Sequence, residues 1–232
     1  MNRSTLAALC LFLAIAFAGL GVWQVERRSW KLDLIARVGA RVHAPAQPLP
    51  ARATWPRIND RDDSYRHLRL AGVLLNDRET LVQAVTEAGP GWWVITPLRT
   101  ADGLVLVNRG FVPPERKDPA TRRAGLSVGP VILTGLLRMT EPGGGFLRHN
   151  DPATNRWYSR DVGAIARARG LGEVAPLFID ADSTPNPGGY PLGGLTVIAF
   201  RNAHLVYALT WFGLALVSLF GLTLVVRAPE RR

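Results

Sequence analysis

His204, Tyr207, Ala208 and Trp211 fall at i, i+3, i+4 and i+7, which places all four on one face of a helix. They stand at the mouth of a long apolar run, so that face carries one imidazole and two aromatic rings at the edge of a candidate membrane span. An imidazole among flat apolar side chains suits heme, with His204 as axial ligand to the iron and Tyr207 and Trp211 against the ring. The same residues also suit a plain interface, because Tyr and Trp collect at membrane surfaces and a His there meets headgroups or water. Near the other apolar run, Trp23, Arg27 and Trp30 fall at i, i+4 and i+7. They read either as an aromatic belt with a lipid-phosphate contact or as a site in which Arg27 pairs with a carboxylate at the membrane surface.

Other patterns carry less. Gly125-Leu126-Ser127-Val128-Gly129 matches GxSxG, but a nucleophile elbow needs a strand before the serine and a helix after it. Here Arg122-Arg123 precede the motif, and Pro130 and a β-type run follow it. Asp62-Asp63 and Asp180/Asp182 are paired acids in turn-like sequence, read as solvated carboxylates. His67 and His149 have no metal-ligand spacing to one another. Asn108-Arg109-Gly110 ends a strong strand as a functional turn or a glycine bulge. No Walker loop, HExxH or dinucleotide-binding glycine motif is present. The chain is therefore not expected to be an enzyme.

These residues must be positioned by two spans and a domain. Thr5 to Val25 is almost wholly apolar up to Gln24, and about 20 such residues at ~1.5 Å each cross a ~30 Å hydrocarbon core. A signal peptide competes, since Arg3 gives a basic start and Ala16-Phe17-Ala18 resembles a cleavage site. The run nevertheless continues through Trp23 towards Lys31 with no breaker, which favours a retained anchor. Ala14 and Ala18 on this segment could admit a second helix. The second span covers His204 to Val226, where Gly213 and Gly221 offer a possible seat for the first. Removing both spans leaves roughly 180 residues, enough for one domain with its own core.

That domain reads as β-rich. Strands are expected at Tyr65–Leu75, Thr80–Val85, Trp92–Leu98, Leu104–Val112, Val131–Arg138, Trp157–Arg160, Leu177–Asp180 and Leu195–Phe200, each β-branched or aromatic and bounded by turn residues. Ala101-Asp102-Gly103 is a hairpin turn, and Asp161 caps one soluble helix, Val162–Arg169. Pro45 to Pro56 is an extended linker, and Pro113–Gly129 and Thr184–Gly194 are loops. The expected organisation is a membrane protein with two transmembrane α-helices flanking a β-rich (α+β, barrel- or sandwich-like) extracytoplasmic domain. Its parts are a tail at 1–4, a first span at 5–25, an exit helix and linker at 26–60, the domain at 61–203, a second span at 204–226 and a tail at 227–232.

Charge places the chain against lipid. The formal charge is +10, with 28 Lys and Arg, nearly all Arg, which suits anionic headgroups. The arginines are scattered with no basic helix or arm, so nucleic acid is not an expected partner. Arg3 at one end and Arg227, Arg231 and Arg232 at the other favour cytoplasmic termini. The Arg27-Arg28-Lys31 cluster argues the other way, but long loops translocate largely regardless of charge. Cys10 is the single cysteine, so no intrachain disulfide can form.

Four separated patterns resemble the surfeit locus protein 1 family. They are Gly21-Val22-Trp23-Gln24 with Arg27 and Trp30-Lys31; Thr96-Pro97-Leu98 with Leu106-Val107-Asn108-Arg109-Gly110-Phe111-Val112-Pro113; Gly135-Leu136-Leu137-Arg138; and Asn202 through Phe212. Phe111 stands where the family more often has Trp. The resemblance implies an assembly factor for heme–copper cytochrome c oxidase in a bacterial-type cytoplasmic membrane, with both termini cytoplasmic and the main domain outside. It implies transient binding of heme A with His204 as iron ligand. The expected partners are the oxidase catalytic subunit and, as heme source, the heme A synthase. Tyr207, Trp211, Trp23 and Arg27 are the expected companions of His204, with Arg27 on the propionates. The alternatives are an oxidase-assembly scaffold without cofactor and a two-span extracytoplasmic ligand-binding protein. The latter kind normally continues into a cytoplasmic output domain, and only a short tail is expected after the second span.

Overall fold

The alternation Val105-Leu106-Val107 divides the β-domain into two cores. In the computed structural model, which describes residues 2–227 apart from Phe146, Val197, Ala199 and Arg201, these residues lie on a strand whose successive side chains point to opposite faces. Val105 and Val107 join one buried cluster, and Leu106 joins the other.

The chain forms two units, Val38–Val197 and the terminal segments Met1–Arg37 with Ile198–Arg232. Helix α1 (Arg3–Val42) begins in the terminal unit and ends in the β-unit. The β-unit then runs β1 (Gln47–Pro48), the one-turn helix α2 (Asp60–Asp63), β2 (His67–Leu74), β3 (Thr80–Thr86), β4 (Gly89–Thr100), β5 (Gly103–Val112) and β6 (Pro130–Met139). A small hairpin follows, β7 (Gly144–Gly145) and β8 (Arg148–His149), then helix α3 (Val162–Ala168) and strand β9 (Val174–Ala181).

The main sheet has the order β1-β2-β6-β9-β5-β4-β3, and β2 also pairs with β4. That extra pairing closes a ring of β2, β6, β9, β5 and β4, with β1 and β3 attached outside it. Pairing is antiparallel around the ring except between β5 and β9. Closure occurs where Val73 and Leu74 meet Arg99 and Leu98. Gly72 stands at that seam, and a Cβ on it would collide with the Arg99 carbonyl. Leu68, Leu70, Leu98, Val105, Val107, Leu137, Leu177 and Ile179 fill the interior, and every strand of the ring contributes. The second cluster lies outside the ring, where Ile95, Leu106 and Phe178 meet Val82, Trp157, Val162 and Ile165. Helix α3 covers it, capped as expected by Asp161, whose side chain accepts from the Ala164 N–H at 2.9 Å.

The β-rich domain between two apolar helices matches the sequence reading, and Ala101–Asp102 does join β4 to β5, with Thr100 paired to Gly103. Several local expectations are corrected. Pro45–Pro56 is not a plain linker, since Gln47–Pro48 pairs parallel to β2 and Trp55 enters the interior core. An indole with its N–H satisfied by the Pro50 carbonyl at 2.9 Å can be buried at the end of a barrel. Trp157 makes only an isolated bridge to Val82, because the following chain must turn into α3. Leu195 and Thr196 are not strand, while Val197 and Ala199 lie outside the described residues. Asp180 is not a solvated loop acid. It is buried on β9. Of the two readings of Asn108-Arg109-Gly110 the glycine bulge holds and the turn does not: the segment lies within β5, where Arg109 and Gly110 together oppose Val94 and Gly110 has φ +127°.

Candidate functional site

The terminal unit is an antiparallel helix pair, α1 against α4 (His204–Arg227). Contacts run in opposite chain directions. The Arg3 guanidinium donates to the Val225 and Val226 carbonyls, and Cys10 faces Gly221. Phe17 stacks on Trp211 with ring centroids 5.6 Å apart. Gln24 meets His204, and Lys31 Nζ lies 5.0 Å from the Phe200 ring centroid. Cys10, Ala14, Phe17, Gly21 and Gln24 repeat at intervals of four and three, as do His204, Ala208, Trp211 and Ala215. That period keeps one stripe of each helix facing the other. Gly21 lets α1 approach, since a Cβ there would lie 2.5 Å from the Phe212 ring. Gly213 has nothing near it, whereas Ala14, Ala208 and Ala215 are buried. Both helices are long and apolar enough to cross a membrane. Their outward faces expose Phe12, Ile15, Leu216 and Phe220.

Where α4 begins, Gln24 Oε1 faces His204 Nδ1 at 2.8 Å. Gln24 is 9% exposed. With Nδ1–H donating to this oxygen, Nε2 carries the ring's lone pair and is the nitrogen free to bind a metal. Of the five predicted site residues, His204 and Trp211 lie on the seam, but Trp211 is already packed on Phe17. Tyr207 and Trp23 are exposed, at 54% and 51%. Arg27 is exposed and stacks over Trp30 at 4.7 Å. A helix turns about 100° per residue, so Trp23 and Arg27 lie about 100° and 60° to one side of Gln24, and Tyr207 about 60° to one side of His204. Because the helices are antiparallel, those sides coincide. The structure therefore separates a half-buried polar pair, Gln24–His204, from a flank of two exposed rings and a cation. A histidine whose second nitrogen is held by a hydrogen-bond acceptor fits the donor set of a heme ligand. Among the described residues no group of three or more His, Cys, Asp or Glu side chains is placed to hold a metal ion. Sequence reasoning missed Gln24 and Phe17. The four-three spacing through Ala14, Phe17, Gly21 and Gln24 was the available signal.

The β-unit concentrates its charges elsewhere. Asp180 accepts from Asn108 Nδ2 at 2.7 Å, Arg138 at 3.1 Å and Arg160 at 3.2 Å. Arg160 also holds Glu141 at 2.6 and 3.0 Å. Burial pushes the Glu141 carboxyl up, but the hydrogen bonds and charge of Arg160, with Arg138 beyond, outweigh it and hold it below the usual range. Every member has partners, which marks a structural network. Ser127 stands between a 3₁₀ turn ending at Gly125 and β6, without the strand–turn–helix of a nucleophile elbow.

A five-stranded barrel with two added strands, preceded and followed in the chain by an apolar helix of membrane-spanning length, defines the class: a β-domain with a candidate anchor before it and another after it in sequence. The SURF1 family profile matches residues 11–216. Surfeit locus protein 1 of Rattus norvegicus is 38% identical over 230 residues, covering 92% of this chain and 73% of the relative. The Homo sapiens protein is 38% identical over 232 residues, with 92% and 75% covered. That of Mus musculus is 41% identical over 223 residues, with 89% and 70% covered. This chain belongs to the SURF1 family.

Proposed function

We propose that the chain is a membrane-bound assembly factor for heme–copper cytochrome c oxidase, which holds heme A transiently and aids its insertion into the catalytic subunit. The observation that carries this reading is the fixed imidazole. Gln24 occupies Nδ1 of His204 and leaves Nε2 as an axial donor, on a helix pair of membrane-spanning length in a SURF1-family chain. If bound, heme would supply an iron able to accept one protein nitrogen as ligand. His204 offers that nitrogen, Gln24 fixes the ring, and Tyr207 and Trp23 provide exposed aromatic surface on one flank. Arg27 supplies a cation beside them for the propionates. A single protein ligand beside an exposed flank favours release over retention, as a carrier requires. The same reading gives the chain no catalytic step of its own. It places both termini in the cytoplasm of a bacterial-type cell and the barrel outside, with the heme A synthase as the heme source.

Protein purified from cells making heme A should show a Soret band. His204→Ala should abolish it while leaving the barrel folded, because a smaller residue at this interface leaves no buried charge. His204→Met should shift the band, since a softer axial ligand replaces the imidazole. Oxidase in membranes lacking the protein should be heme-deficient. Colourless wild-type protein at normal yield would leave the scaffold without cofactor as the reading. Full heme content and an unchanged spectrum in His204→Ala would remove the ligand assignment.

A further inference from the structure

Arg109 is 2% exposed. Its Nη2 donates to the Gly125 carbonyl at 2.5 Å and to Asn186 Oδ1 at 2.9 Å. Its Nε and Nη1 are buried with no partner among the described residues. Burial lowers its pKa to about 10, with Glu79 opposing the shift and Arg122 adding to it. At that value the guanidinium is still charged at neutral pH. A buried cation with idle donors is costly unless something meets them. The Glu79 carboxylate does not, because both its oxygens are taken by Arg122.

Arg109 lines a cleft of about 170 Å³ between the β2–β6–β9 edge and the 182–187 loop. This is on the order of five or six waters' share of liquid volume. Its wall has two characters. Arg109, Ser127 and Asn186 contribute polar groups to it, and Leu74, Val131, Leu133 and Ala181 contribute apolar ones. We propose that this cleft binds a small carboxylate, with its anionic end on the Arg109 guanidinium and a short hydrocarbon chain against Val131, Leu133 and Ala181. Asp182 also lines the cleft, and it selects among anions. Burial pushes its carboxyl up, but bonds from the Thr134 hydroxyl and from Thr184 outweigh this and keep it below the usual range. It therefore stays charged at neutral pH. One guanidinium beside one fixed carboxylate can compensate at most a single buried negative charge, so a dianionic phosphate, whose desolvation costs far more, would be the weaker ligand. The site lies wholly in the β-unit and does not depend on the heme reading.

The test uses the full chain in detergent, titrated with butyrate at constant ionic strength and followed by ligand-observed NMR. Saturable binding is expected. Arg109→Gln should weaken it at least tenfold, and so should Ala181→Leu, which fills the apolar side without touching the cation. Neutral butyramide should also bind at least tenfold more weakly. If Arg109→Gln does not fold, Ala181→Leu and butyramide decide. Absence of saturable binding, wild-type binding by Ala181→Leu, equal binding of butyramide, or a preference for inorganic phosphate over butyrate would each overturn the proposal.

Discussion

Asp180 in the barrel and His204 in the helix pair are polar side chains set against apolar neighbours, and they are held very differently. Asp180 accepts from three side chains on three separate segments, β5, β6 and the stretch before α3. His204 meets one, Gln24. Among the described residues this is the one hydrogen bond between side chains that joins α1 to α4. A carboxylate in a protein core must be fully satisfied or it destabilises the fold. An imidazole held through one nitrogen at a half-buried position carries no such demand. The barrel's polar groups thus lock a structure, and those of the helix pair are held by a single bond.

The comparison is broken most strongly at Asp180. Asp180→Ala removes the shared acceptor of Arg138 and Arg160 and should cost about 3–5 kcal/mol, as for other broken buried pairs. Thermal unfolding of the barrel measures this, and a loss below about 1 kcal/mol would show that the network is solvated like a surface pair. Acid should loosen the same network by less. The Glu141 carboxyl is held below the usual range in the folded protein. Its contribution is therefore present above the ordinary carboxyl pKa of about 4.3 and is lost as pH falls through the lower, folded value. Barrel stability should fall in that window, and in an Arg160→Leu variant the fall should be shallower.

Much of the barrel was legible because alternation is a local signal. β3, β5 and α3 each announce themselves within ten residues by period or cap. Trp55 was not legible, because proline-rich sequence reads as a linker and only closure of the ring gives the indole a core to enter. Asp180 was misread, and the burial of Arg109 passed over, for the same reason. Burial of a charge depends on partners 42 to 77 positions away, as with Arg138 and Asn186. On the helix pair, His204 and its flanking aromatics were visible by spacing. Gln24 was passed over because its partner lies 180 positions on. Helical spacing identifies a face without saying which edge of it meets another helix, so Trp23 and Arg27 were expected beside His204 when the contact belongs to Gln24.

Gln24 gives the next effect in size. Loss of an outer-shell partner typically costs 10–100-fold in metal affinity, so Gln24→Ala should weaken heme retention by that factor, about 1.4–2.7 kcal/mol. A control separates this from loss of the helix pair. Cys10 is the single cysteine, and a Cβ at Gly221 would lie 3.7 Å from its Sγ. A Gly221→Cys background should therefore cross-link internally on oxidation whether or not Gln24 is present. Weakened heme with an intact cross-link assigns Gln24 to orienting the imidazole. Loss of both would make it a packing residue.

The smallest effect should come from Arg27. It is exposed and already rests on the Trp30 ring, a contact worth roughly 0.5–1 kcal/mol at such sites. To meet a propionate it must leave that ring, and an ion pair formed there is open to solvent and screened by salt. Arg27→Leu should therefore reduce heme retention by less than about 1 kcal/mol, within the range of exposed pairs. The axial spectrum should not change, because the iron ligand is untouched. The difference between wild type and Arg27→Leu should also shrink as salt rises from 0.01 to 1 M, a range over which the screening length falls from about 30 to 3 Å. A salt-independent loss as large as that of Gln24→Ala would mean that Arg27 turns inward when cargo binds and shares the buried site with His204. The separation of flank from seam would then hold only for the unloaded helix pair.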